Sequence, residues 1–164
     1  MAIQSSDFGT PKMANVVREM TQVFNSKLTP VIGLAAPQVG HSLRLIAFQV
    51  NDTQTLAENG LKEPIPLTFL ANPQVTVLVA GGPAEYEFCE SVPGYSGLVR
   101  RAKRIRVTAD DLTGKNSTKD YSGIAARIIQ HEVDHLDSVL FTDKIEDKTL
   151  RHDQYIGQYE VFRK

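Results

Sequence analysis

Ser122-Gly123-Ile124-Ala125-Ala126-Arg127-Ile128-Ile129-Gln130-His131-Glu132-Val133-Asp134-His135-Leu136 reads as one helix. Ser122 is a helix N-cap type, and Ile124 and Ile128 continue the face on which the later histidines fall. The spacing predicts a helix from Gly123 to about Leu136. His131 and His135 are four residues apart, so both imidazoles stand one above the other and can reach a single cation. Glu132 follows the first histidine, where its carboxylate can reach a metal-bound water without being a ligand. This is the HExxH arrangement, and its logic is metal-assisted hydrolysis. The pattern is short, and a pair of surface histidines on an amphipathic helix is the competing reading.

A catalytic divalent site wants three protein ligands and one open position. The other two histidines, His41 and His152, sit in a turn-like stretch and in a polar tail. Cys89, the only cysteine, ends an expected strand between Glu87 and Glu90 and precedes a Pro-Gly loop, which suits the edge of a cleft. A lone cysteine excludes an internal disulfide and is most often a small buried hydrophobe. As a nucleophile or metal ligand it needs partners from elsewhere in the chain, and spacing does not supply them.

Upstream, Thr10-Pro11 signals a helix start, and Met13, Val16, Val17, Met20, Val23 and Phe24 recur at helical spacing. An amphipathic helix is expected from about Pro11 to Asn25, its apolar stripe facing a core. Val31 to Gly40 is small, apolar and Gly-punctuated, the texture of a backbone that something approaches closely, with Gln38 its only long polar side chain. Strands are expected at Leu43–Val50, Leu67–Leu70, Val75–Val79, Ala84–Cys89, Arg104–Ala109 and Ser117–Tyr121. Asn72-Pro73 separates the second and third of these, and Asn51 to Pro66 reads as a polar loop. A short apolar piece, Val139-Leu140-Phe141, follows the second helix. Helix, many short strands, helix is an α+β pattern: antiparallel short-stranded sheets packed around a central HExxH helix, with an N-terminal amphipathic helix.

The 164 residues suit one domain, residues 1–164, with a tail over 145–164 whose apolar signals at Tyr155, Ile156, Tyr159, Val161 and Phe162 are too weak to assign. A chain this long buries roughly 70% of its unfolded surface, so it needs no metal merely to own a core. Eighteen Lys+Arg against nineteen Asp+Glu leave no positive field to hold a nucleic-acid backbone. No apolar run approaches a membrane span, and Met1 to Phe8 lacks the charged front and apolar middle of a secretory signal.

Three motifs in order resemble those of the peptide deformylases, the metal hydrolases that remove the formyl group from the N-terminal methionine of new polypeptides. Gly33-Leu34-Ala35-Ala36-Pro37-Gln38 is similar to the family's Gly-rich first motif. Glu87-Phe88-Cys89-Glu90-Ser91 is similar to its Glu-Gly-Cys-x-Ser, and Gln130 to Leu136 to its Gln-His-Glu-x-Asp-His-Leu. The resemblance runs from about Phe8 to Lys144. It implies that Cys89, His131 and His135 bind one divalent metal ion, and that Glu132 is the general acid/base. It implies that Gln38 and the Glu90 backbone N–H hold the formyl oxygen as charge develops. Gly33 falls on the peptide-docking edge, and Ile32, Glu87, Ile124 and Ile128 fall where the family lines the methionine pocket. The implied active metal is ferrous iron, with zinc, nickel or cobalt able to occupy the site. The implied partners are nascent N-formylmethionyl chains, with no nucleic acid and no membrane. Glu90 and Ala125 to Ile129 look more like the organellar branch, so mitochondrion, plastid and bacterial cytoplasm are all consistent locations.

The chain departs from the pattern at Val31 and Phe88, where the family usually has Gly, and its front is shorter. Phe88 either narrows the cleft or, by strand alternation, points away from it. Three alternatives follow: a degenerate deformylase-like protein that binds chain ends without turnover, a general HExxH peptidase, and a zinc-stabilised structural domain.

Overall fold

The computed structural model describes residues 1–26 and 31–156. In chain order the main elements are α1 (Pro11–Asn25), β1 (Gly33–Ala35), β2 (Leu45–Val50), α2 (Thr53–Glu58) and β3 (Ile65–Val79). β4 (Ala84–Phe88), β5 (Tyr95–Arg100), β6 (Arg104–Asp110), β7 (Asn116–Ser122), α3 (Gly123–Leu136) and β8 (Arg151–His152) follow. Among the described residues the strand pairings are all antiparallel. One sheet has the order β1-β2-β3-β6-β7 and a smaller one the order β4-β5-β8. The architecture is therefore α+β.

The larger sheet lies between two helices. On one face Ala126, Ile128 and Ile129 of α3 pack with Ala35, Ile46, Phe48, Val50, Leu70, Ile105 and Val107. On the other, Met13, Val16, Met20 and Phe24 of α1 pack with Leu34, Ala36, Leu45, Ala47 and Ala71. Alternate residues of β2 thus serve opposite cores, which is why Leu45–Val50 is nearly all apolar instead of alternating with polar residues. Burying each such large side chain contributes about 1.5–3 kcal/mol. α1 begins as its sequence dictates: Thr10 Oγ1 accepts the Met13 N–H at 3.2 Å and Pro11 occupies the first turn. A third, small cluster of Cys89, Val99 and Phe141 lies under the β4-β5-β8 sheet.

Several expectations need correction. Leu67–Leu70 and Val75–Val79 are parts of one strand, β3, whose first half pairs with β2 and second half with β6. Asn72-Pro73 is the irregularity where the partner changes, not a break. Asn72 adopts φ 50°, a left-handed conformation that Asn tolerates. Its side chain accepts the Ile3 N–H at 2.8 Å and donates to the Ile3 carbonyl at 2.9 Å. The Asn51–Pro66 loop contains α2, whose Asp52 cap accepts the Thr55 N–H at 2.7 Å. With no buried residue, that helix leaves no apolar periodicity to read. β5 was not anticipated, because Gly97 interrupts its pattern; a Cβ there would lie 2.5 Å from Ile145 Cγ2. Ser122 stands at the N-cap of α3 but makes no side-chain capping bond. The Val139–Phe141 piece leads into a 3-10 turn at Phe141–Asp143. Tyr155 closes the turn Asp153–Tyr155, while Tyr159, Val161 and Phe162 lie outside the described residues. No helix among the described residues is long and apolar enough to cross a membrane.

Candidate metal centre

β4 ends at Phe88, and the next residue, Cys89, meets the C-terminal half of α3. Cys89 Sγ is 3.3 Å from His135 Nε2, and the donor atoms of Cys89, His131 and His135 all lie within 4.8 Å of one another. The two imidazoles, one helical turn apart, have centroids 5.0 Å apart and planes at 78°. His131 Nδ1 bonds Glu87 Oε2 at 2.8 Å, which leaves Nε2 free to act as a donor atom toward an ion. A carboxylate behind a ligating histidine fixes its tautomer and ring orientation.

The electrostatics follow from this crowding. Burial pushes the Cys89 thiol up, but hydrogen bonds with His131 and His135 and from the Ser91 N–H outweigh it and bring it down to about 5. Burial disfavours a charged His131, yet hydrogen bonds with Cys89 and Glu87 raise it to about 10. Burial also opposes ionisation of Glu87, but hydrogen bonds from Arg101 and His131 hold it down at about 2.

Glu132 is 4% exposed, and burial, opposed by His131 and His135, pushes it up to about 7. Its Oε2 is buried and has no hydrogen-bond partner among the described residues. An orphaned buried carboxylate oxygen costs about 1–3 kcal/mol or more, so native sites keep one where a ligand or water will sit. Together with a thiolate and two imidazoles, donors suited to zinc or iron, this orphan oxygen is what a metal ion carrying a solvent molecule would complete. Cys89, His131 and His135 fit such an ion.

The glycine-rich stretch explains itself here. A Cβ on Gly33 would lie 2.3 Å from Glu132 Oε1 and 2.7 Å from Ile128 Cγ2, so only glycine lets β1 run this close to α3. Gln38 Oε1 accepts the Ala35 N–H at 2.8 Å. That turns its amide nitrogen toward Cys89 Sγ at 3.6 Å and Ser91 Oγ at 3.3 Å.

Gln38, Cys89, His131, Glu132 and His135 thus converge, with Gly33 and the buried Ile128 against them. Ile32 and Ile124 are partly buried on the same core, and Glu90 is exposed beside Cys89. Glu87 departs from its expectation, and Phe88 takes the second of its two readings. Glu87 is not a pocket wall: its carboxylate is consumed by Arg101, Arg127 and His131. Phe88 is 68% exposed between buried Glu87 and Cys89, so it points off the opposite face of β4, away from the donors. Arg101, Arg127 and the bridging role of Asp134, which accepts from Arg101 and from Lys144, were missed. The available signal was a charge inside an apolar run: Arg127 sits between Ala126 and Ile128, both buried.

Fold and site together define a metal-dependent hydrolase built on antiparallel sheets. A polypeptide deformylase family model matches residues 1–151, and the chain belongs to that family. It is 38% identical over 144 residues to a peptide deformylase of Dictyoglomus turgidum, covering 87% of this chain and 84% of the relative. It is 32% identical over 157 residues to a chloroplastic peptide deformylase of Solanum lycopersicum, covering 91% and 55%. Among solved structures it resembles a class I type b peptide deformylase from Acinetobacter baumannii with Met-Ala-Ser bound. That match has TM-score 0.74, 26% identity and coverage of 88% and 87%.

Proposed function

We propose that this chain removes the formyl group from the N-terminal formylmethionine of newly made polypeptides and releases formate. The observation that carries the reading is Glu132: a buried carboxylate with an unsatisfied oxygen, beside three converging donors. Cys89, His131 and His135 would hold one divalent ion, which when bound supplies a Lewis acid that lowers the pKa of water. Glu132 takes the proton from the attacking water and returns it to the leaving amine, a task suited to a carboxyl raised toward neutrality. The Gln38 amide and the Glu90 N–H donate to the formyl oxygen as it gains charge, and one such donor is worth roughly 3 kcal/mol in a transition state. Ile32, Ile124 and Ile128 are the proposed apolar walls for the methionine side chain, and the whole chain serves as one catalytic domain.

Ferrous iron is the proposed active metal; the soft thiolate with two imidazoles supports iron or zinc over harder ions. For the branch, Glu90 and Ala125 to Ile129 support the organellar side, while bacterial and chloroplastic relatives match at similar identity.

The deciding assay is formate release from formyl-Met-Ala-Ser by protein loaded anaerobically with iron. Glu132→Ala should retain the metal and lose turnover by about 10²–10⁴-fold. Near-normal deformylation by that variant removes Glu132 from the mechanism. Peptide binding without formate supports a non-catalytic binder, and cleavage of a peptide with a free amino terminus supports a general peptidase.

A further inference from the structure

We propose that Arg127 is a positioning residue for the metal ligands, a guanidinium strut that fixes the helix carrying His131 and His135 against the strand leading to Cys89. The inference rests on the reading that these three residues hold a divalent ion. Arg127 lies on α3 one turn before His131, and its side chain is 11% exposed. Its Nη1 donates to Glu87 Oε1 at 2.8 Å and to the Val99 carbonyl at 3.0 Å. Its Nη2 donates to the Pro83 carbonyl at 2.7 Å, and its Nε pairs with Glu85 Oε2 at 2.9 Å. Glu85 and Glu87 belong to β4, Pro83 immediately precedes it, and Val99 lies on its partner strand β5.

These contacts matter because of what else joins the two halves of the site. The apolar cluster that seats α3 is made with the larger sheet and includes no residue of β4 or β5. Cys89 therefore hangs from one layer and the histidines from another, and polar side chains bridge the gap. Arg101 is one bridge, donating to both Glu87 oxygens and reaching Asp134 on α3. Arg127 is the second, and it grips the Pro83 and Val99 carbonyls as well as Glu85 and Glu87 of β4. With Arg127 in place, Glu87 Oε1 accepts from two arginines while Oε2 accepts from Arg101 and His131. The carboxylate that orients His131 is thereby held from every side. A buried ion pair is poor value for stability alone, since apolar residues of similar volume often serve as well. Its geometry, however, is specific: a planar fork sets the distance and angle between two elements, which an apolar contact does not.

The test uses full-length Arg127→Met and Arg127→Lys, with circular dichroism to confirm folding. Each protein is loaded with cobalt(II). The d–d and thiolate-to-cobalt absorption bands report the donor geometry, and competition with a chelator gives the affinity. Arg127→Met should fold, shift the d–d bands and bind cobalt about 10-fold or more weakly, the usual effect of losing a partner behind the ligands. Arg127→Lys should recover part of both. Glu85→Gln, which removes only the half-exposed anchor of the strut, should weaken binding in the same direction and by less. Wild-type bands and affinity in folded Arg127→Met overturn the proposal. Where Arg127→Met does not fold, wild-type behaviour in both Arg127→Lys and Glu85→Gln overturns it instead. Wild-type protein that binds cobalt without a thiolate band overturns the metal reading itself, and the strut with it.

Discussion

Adding one methyl group at Gly33 should cripple the site without unfolding the chain. Gly33 does not need glycine for its backbone angle, since it is absent from the positive-φ residues. It needs glycine because Glu132 Oε1 occupies the space a Cβ would take, at 2.3 Å. Gly33→Ala must push the Glu132 carboxylate aside or force β1 away from α3. We expect formate release to fall by at least about 10-fold, since a displacement of about 1 Å costs up to 10²-fold. Far-UV circular dichroism should stay close to wild type, and full activity would show that α3 has room to retreat. At this scale much of the site was legible. Residue types and spacing named both histidines, Glu132, Cys89 and Gln38. The resemblance placed Glu87 on the methionine pocket, and alternation left open the outward reading of Phe88 that the structure shows; alternation says which residues share a face and not what that face meets. Glu87 shares the Cys89 face, but Arg101, just past the end of β5, and Arg127 on the helix reach its carboxylate.

At the scale of elements, caps and periodicity carried most of the reading. Residues Pro11–Asn25 and Gly123–Leu136 both have an apolar face; Thr10 caps the first, while the second starts at Ser122 without a side-chain cap. Thr10→Ala should destabilise the protein by about 1 kcal/mol through its lost cap, read by chemical denaturation. β3 was divided in two because Asn-Pro usually ends a strand. Here Asn72 takes the left-handed angle and its amide replaces ladder bonds with Ile3, so the strand continues into a new partner. Asn72→Ala should therefore cost about 2–3 kcal/mol, adding a disfavoured φ to lost hydrogen bonds. A loss under 0.5 kcal/mol would mean that the pairing of β3 with β2 and β6 holds this bend unaided.

The whole molecule separates stability from chemistry. Its two large clusters lie on the two faces of the larger sheet, and Cys89 belongs to neither, only to the small cluster with Val99 and Phe141. Chelating the metal should abolish formate release while leaving far-UV circular dichroism and a cooperative thermal transition. Returning the ion should raise Tm with its concentration, by mass action on the folded state. Collapse of the fold on chelation would instead favour the structural-domain reading. By itself the sequence determined the α+β class, the two helices, and a helix face that sets two histidines one turn apart with a carboxylate beside them. Those properties live in periods of two and 3.6 residues and in side-chain chemistry. Only the tertiary structure decided that Cys89 meets His135 across 46 residues. It likewise decided that two buried arginines clamp Glu87 behind His131, and that Glu132 keeps an unsatisfied oxygen. Such contacts depend on how separate layers stack, and local periodicity carries no record of stacking.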